Sequence, residues 1–111
     1  MVVRTGIDIV HIPKIKRLME NDTAIRKIFH SNELKNLDAE HLAGIFAAKE
    51  AVFKALKKKP EWLSVELKYE DSGAPILNLS NDLAQKILHS DVSISHDEDY
   101  AIASVVFELN G

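Results

Sequence analysis

A long segment with helical periodicity runs from Asp38 to about Lys58, with no proline and a single glycine, Gly44. Leu42, Ile45/Phe46, Lys49, Val52/Phe53 and Leu56 recur in it at helical spacing, and Ala43, Ala47, Ala48, Ala51 and Ala55 permit close packing by neighbours. Asp38 has the chemistry of an N-cap. "KKKPEW" ends the run, because Pro60 cannot continue the hydrogen-bond ladder and biases Lys59 away from helical angles. The rest of so short a chain must pack around this helix. Yet its middle, "FAAKEAVFK" from Phe46 to Lys54, sets Lys49, Glu50 and Lys54 among apolar residues.

The flanking segments favour strands. "VVRTGIDIV", Val2 to Val10, is rich in β-branched residues, and Gly6 within it marks a bulge or a close approach by another element. "PKIKRLMEN" follows as a helix with Pro13 in its first turn and Lys14, Lys16 and Arg17 facing outward; "TAIRKIF" adds a shorter one with Arg26 and Lys27. "SVELKYE" alternates, and "DSGAP" supplies a turn before "ILNLS", so the two predict a hairpin. "SNDLAQKILHS" predicts a short helix capped by Ser80, with Leu83, Ile87 and Leu88 inward. "DVSISH", the turn "DED" and "YAIASVVFEL" predict a closing antiparallel hairpin. Residues 1–111 thus form a single α+β domain: one small, largely antiparallel sheet on a long central helix.

Composition narrows the function. The 46% hydrophobic content supports a modest core with little surplus for a deep internal cavity, which places a site for a large ligand on the surface or between subunits. A net charge of -3, two Tyr and one Trp give no general reason to expect nucleic acid. With no cysteine, neither disulfides nor thiolate metal sites enter. No apolar run approaches the roughly 18 residues of a membrane span, so a cytoplasmic protein is expected.

Candidate chemistry gathers at two places. Glu50 and Lys54 are four apart and share a helix face, which suits a surface ion pair stabilising by about 0.2–0.5 kcal/mol as well as a functional site. Asp8 lies between Ile7 and Ile9 in an apolar strand, where an ionised carboxylate either points to solvent at a sheet edge or is paired or bound to a cation. Two carboxylates from separate elements beside a lysine suit a magnesium–phosphate site, since magnesium takes one or two protein carboxylates and completes its shell with water and phosphate oxygens. His96 ends a strand at an acidic turn; His11, His30, His41 and His89 lack metal-ligand spacing. Lys57, Lys58 and Lys59 read as a solvated helix end, favourable to the helix dipole.

"GIDIV" (Gly6 to Val10), "FAAKEAVFKAL" (Phe46 to Leu56) and "SISHDEDYAIA" (Ser93 to Ala103) resemble, in order and separation, the three signature regions of holo-acyl-carrier-protein synthases, the small class of 4′-phosphopantetheinyl transferases. "GAP" before a strand and "SNEL" before the central helix extend the likeness over nearly the whole chain. The resemblance implies transfer of the phosphopantetheine arm of coenzyme A to a serine of an apo acyl carrier protein, with release of adenosine 3′,5′-bisphosphate. It implies Asp8 and Glu50 as Mg2+ ligands and Lys54 as the group neutralising the pyrophosphate. Lys49 would support the same phosphates, and His96 would meet coenzyme A phosphate. For the serine proton, Glu50 and a metal-bound water remain alternatives. The resemblance further implies a homotrimer with sites at subunit interfaces. An acidic carrier protein would dock on Lys14, Arg17, Arg26 and Lys27, which as a set also fit an ordinary solvated helix face.

The chain departs from the family pattern twice. Many relatives carry Arg where Ile45 stands, and a Gly-Thr-Gly turn where this chain has "KKKPEW". Both changes bear on coenzyme A binding. A homologue that binds carrier protein or nucleotide without transfer is the alternative to the enzyme, and a plain oligomerisation module comes after it. Retention of Asp8 and Glu50 beside Lys54 favours the enzyme.

Overall fold

A computed structural model describes all 111 residues. Strand β1 (Val2–His11) leads into helix α1 (Ile12–Leu18) and the short helix α2 (Asp22–Arg26). A 3-10 turn at Glu33–Lys35 precedes the long helix α3 (Ala39–Leu56), and a second one at Trp62–Ser64 follows it. The hairpin β2 (Val65–Tyr69) and β3 (Pro75–Leu79), the single turn of α4 (Asn81–Ala84), and the hairpin β4 (Ile87–Asp97) and β5 (Tyr100–Leu109) complete the chain.

The expected α+β arrangement is present, with one refinement. The strands form two antiparallel ladders, a three-stranded sheet in the order β1-β5-β4 and a separate β2-β3 ribbon. Along β1, the even residues Gly6, Asp8 and Val10 face inward and are buried, while Ile7 and Ile9 face outward at 58% and 61% exposure. Across the sheet, Ala101, Ala103, Val105 and Phe107 of β5 complete the inner face.

Helix α3 crosses this inner face and is enclosed on nearly all sides. Leu42, Ala43, Ile45, Ala47, Ala48, Ala51 and Val52 are fully buried, and Glu40 and Lys54 are its exposed residues. A helix apolar around most of its circumference belongs in the middle of a fold rather than on its surface. Asp38 caps it as expected, accepting a hydrogen bond from the His41 backbone N–H at 3.2 Å. At the other end Lys57 takes a left-handed conformation (φ 57°), and the Lys58 N–H reaches back to the Phe53 carbonyl at 3.1 Å in a Schellman-type stop.

Gly6 resolves in favour of close approach. A Cβ there would lie 1.9 Å from the Ala51 carbonyl oxygen, so the backbones of β1 and α3 meet where neither side chain intervenes, and the β1–β5 register runs through Gly6 without a bulge. One expected element is shorter than the sequence predicts. Helix α4 is a single turn, Ser80 makes no side-chain cap, and Ile87 already begins β4. Pairing with the long β5 claims these residues, and Leu88 becomes the extra residue of an irregularity between Ile87 and His89, turned outward at 49% exposure instead of inward.

Candidate active site

The close approach at Gly6 places the next inward residue of β1, Asp8, against the α3 turn that carries Glu50 and Lys54. Asp8 is 8% exposed. Its Oδ1 accepts a hydrogen bond from Lys54 Nζ at 2.9 Å, and the same ammonium donates to the Ile7 carbonyl at 3.1 Å. The other oxygen, Oδ2, is buried, and the only group positioned to donate to it is the Glu50 carboxyl when that is protonated. A buried carboxylate oxygen without a donor is costly, and in native folds it marks a place where something else binds.

Glu50 reports the same tension. Its pKa is pushed up from 4.5 to about 7, first by burial, then by hydrogen bonding with the Asp8 carboxyl and by the Asp8 charge; Lys54 and Lys14 pull the other way. Lys54 is raised above the usual lysine range, first through its hydrogen bond to Asp8, against desolvation, with further help from the charges of Asp8 and Glu50. Two carboxyl groups thus share a site with one ammonium, and the second negative charge is poorly compensated at neutral pH.

This arrangement fits a divalent cation. A hard cation would satisfy Asp8 Oδ2 and relieve the repulsion on Glu50 in one step. No cluster of three or more His, Asp or Glu side chains with metal-binding geometry occurs anywhere in the chain. The pair suits an ion that takes few protein ligands and keeps open positions for water and phosphate oxygens, as magnesium does. Lys54 is exposed and Glu50 half-buried, so the site opens to solvent beside the buried Asp8.

The remaining candidates lie elsewhere. Lys49 is fully buried on the opposite side of α3 from solvent, where its Nζ donates to Glu33 Oε1 at 2.8 Å, the Ile28 carbonyl at 2.7 Å and the Trp62 carbonyl at 3.2 Å. Burial pushes its pKa down, and the Glu33 charge and hydrogen bond hold it up in part. All three ammonium protons are engaged, so in this conformation Lys49 offers no donor to a phosphate. Lys49 is thus committed to the core in this structure. Glu33, its partner, is the residue that sequence reasoning missed. The signal was there: a lysine in the apolar stripe of a core helix requires a buried acid.

His96 stands near the other end of α3, its Nε2 3.0 Å from the Glu40 carbonyl oxygen and its Nδ1 3.8 Å from the Glu40 carboxylate. Gly44 makes room for it, since a Cβ at that position would come within 3.0 Å of His96 Nε2. The six residues from Gly44 to Glu50 span about 9 Å of helix, which sets His96 apart from the Asp8–Glu50 pair. Lys14, Arg17 and Lys27 are exposed, while Arg26 is exposed but paired with Asp22 at 3.0 Å. Ile45 is fully buried in the core.

Comparison with known proteins gives a consistent answer. A family model described as the 4′-phosphopantetheinyl transferase superfamily matches residues 4–105. The chain is 37% identical to a holo-[acyl-carrier-protein] synthase of Finegoldia magna, over 98% of this chain and 98% of the relative. It is 39% identical to one from Campylobacter hominis, over 95% and 97%. Among solved structures, the holo-[acyl-carrier-protein] synthase of Helicobacter pylori in complex with coenzyme A superposes with a TM-score of 0.86 at 30% identity, covering 94% of this chain and 99% of that one. The Bacillus anthracis synthase in complex with coenzyme A (3′,5′-ADP) gives 0.82 at 33% identity, with 96% of each chain covered.

Proposed function

Since the chain belongs to the 4′-phosphopantetheinyl transferase superfamily, we infer that it transfers the phosphopantetheine arm of coenzyme A to a serine hydroxyl of an apo acyl carrier protein. The products are holo acyl carrier protein and adenosine 3′,5′-bisphosphate. One P–O bond forms to the serine oxygen, one P–O bond of the pyrophosphate breaks, and the serine proton passes to a base. The observation that carries the reading is the Asp8–Glu50–Lys54 cluster with its unpartnered Asp8 Oδ2.

In this reading Asp8 and Glu50 hold Mg2+, which would neutralise pyrophosphate charge. Lys54, exposed at the mouth of the site, offsets charge on the leaving bisphosphate. For the serine proton, Glu50 and a water held by the metal are the two candidate bases.

A homotrimer with interfacial sites belongs to the same proposal. Ile7, Ile9, Val3 and Val106 leave the outer sheet face apolar and uncovered, and the carboxylate site is open on one side. His96, set apart from the carboxylates, would meet a coenzyme A phosphate other than the one at the metal. Lys14, Arg17, Arg26 and Lys27 would receive the acidic carrier protein. A cytoplasmic site of action follows from coenzyme A as co-substrate.

The test is direct. The protein is incubated with coenzyme A, magnesium and several apo acyl carrier proteins, and intact mass is read for the added phosphopantetheine. A mass shift on at least one carrier is expected; none on any, with folded protein, overturns the reading.

A further inference from the structure

We propose that the buried Glu33–Lys49 pair is a positioning device, fixing the segment that carries Arg26 and Lys27 against the turn of α3 that carries Glu50. The proposal rests on the carrier-docking reading of those two basic residues.

Both side chains are wholly inaccessible to solvent. Glu33 Oε1 accepts from Lys49 Nζ at 2.8 Å and from the His30 N–H at 2.7 Å, and Oε2 accepts from the Leu67 N–H at 2.9 Å. Lys49 spends its other two protons on the carbonyls of Ile28 and Trp62. One ion pair therefore ties four backbone positions, Ile28, His30, Trp62 and Leu67, to the helix.

Stability alone does not call for such a pair. Apolar residues of similar volume are often as stable or more so, because two desolvated charges cost several kcal/mol before they attract each other. What the charges add is direction: each hydrogen bond fixes a distance and an angle that apolar packing leaves loose. The geometry of the tie is informative. Ile28 directly follows Lys27, and Lys49 directly precedes Glu50, so a single 2.7 Å hydrogen bond links the docking segment to the helix one residue from the proposed metal ligand. A carrier seated on Arg26 and Lys27 must present its serine at that ligand, and a misplacement of about 1 Å can cost on the order of 100-fold in rate.

The test replaces the pair with volume-matched apolar residues, Glu33→Leu with Lys49→Met. The double variant is expected to melt close to the parent and to keep its KM for coenzyme A, while kcat/KM for the carrier protein falls about tenfold or more. Carrier kcat/KM equal to the parent's, or a rise in KM for coenzyme A as large as the loss toward the carrier, would overturn the proposal. A second measurement needs no activity. The chain has no cysteine, so spin labels at Lys27→Cys and Glu40→Cys report the distance from the docking segment to α3. That distance distribution should broaden in the double variant, or in Glu33→Gln alone should the double variant not fold. An unchanged distribution also overturns the proposal, whereas broadening in a protein that transfers nothing would fault the functional reading and leave the positioning role standing.

Discussion

Two lysines on α3, Lys49 and Lys54, each meet a carboxylate from another segment, and the two pairs differ in completeness. Lys49 and Glu33 close on themselves: three protons find three acceptors, and both carboxylate oxygens are satisfied. Lys54 and Asp8 do not. One Asp8 oxygen is bonded to Lys54, the other is buried with only a protonated Glu50 to meet it, and Glu50 is driven toward protonation. The closed pair has the form of a device that holds backbone in place. The open one keeps an acceptor unused, which is what a ligand site requires and a structural pair avoids.

The contrast can be broken most severely at the open site. Glu50→Gln should lower transfer on the order of 100-fold or more, with circular dichroism and melting temperature little changed. Full activity in that variant would remove Glu50 from the chemistry. The closed site should respond in the opposite way. Lys49→Met alone leaves Glu33 buried and unpaired, and denaturant unfolding should register a loss of about 3–5 kcal/mol.

A gentler probe uses protons. Glu50 has a folded-state pKa of about 7 against an ordinary 4.5, so the folded chain holds a proton that the unfolded chain has released across that interval. Its contribution to stability is whole below about 4.5 and declines as pH rises to about 7. Melting curves without magnesium should show this decline. Added magnesium should raise the melting temperature at pH 7 and above, and Asp8→Asn should abolish that rise. The smallest effect lies outside both pairs: Lys57→Gly, relieving a left-handed residue, should stabilise by about 0.5–1 kcal/mol.

How much of this was legible in the sequence follows the range of the interactions. The Glu50–Lys54 face needed only helical spacing, and Asp8 stood out because its neighbours are apolar. Their meeting depends on Gly6, whose missing side chain was visible though its partner, Ala51, was not. Glu33 escaped because it sits in a short 3-10 turn with no periodicity to mark an inward face, and its partner lies 16 residues on. Lys49 shows the same limit, since the stripe placed it inward but could not say what waited there. Leu88 failed differently: local helical pattern lost to strand pairing with a segment about 20 residues downstream.

The enclosure of α3 carries a consequence for motion. Amide hydrogens on a helix covered by sheet, turns and a second helix exchange only when the whole domain opens, whereas the β2-β3 ribbon and the chain ends can breathe locally. Glu50 and Lys54 thus ride on the part of the molecule that relaxes last. Fluctuation at the chain ends therefore leaves the two side chains in place.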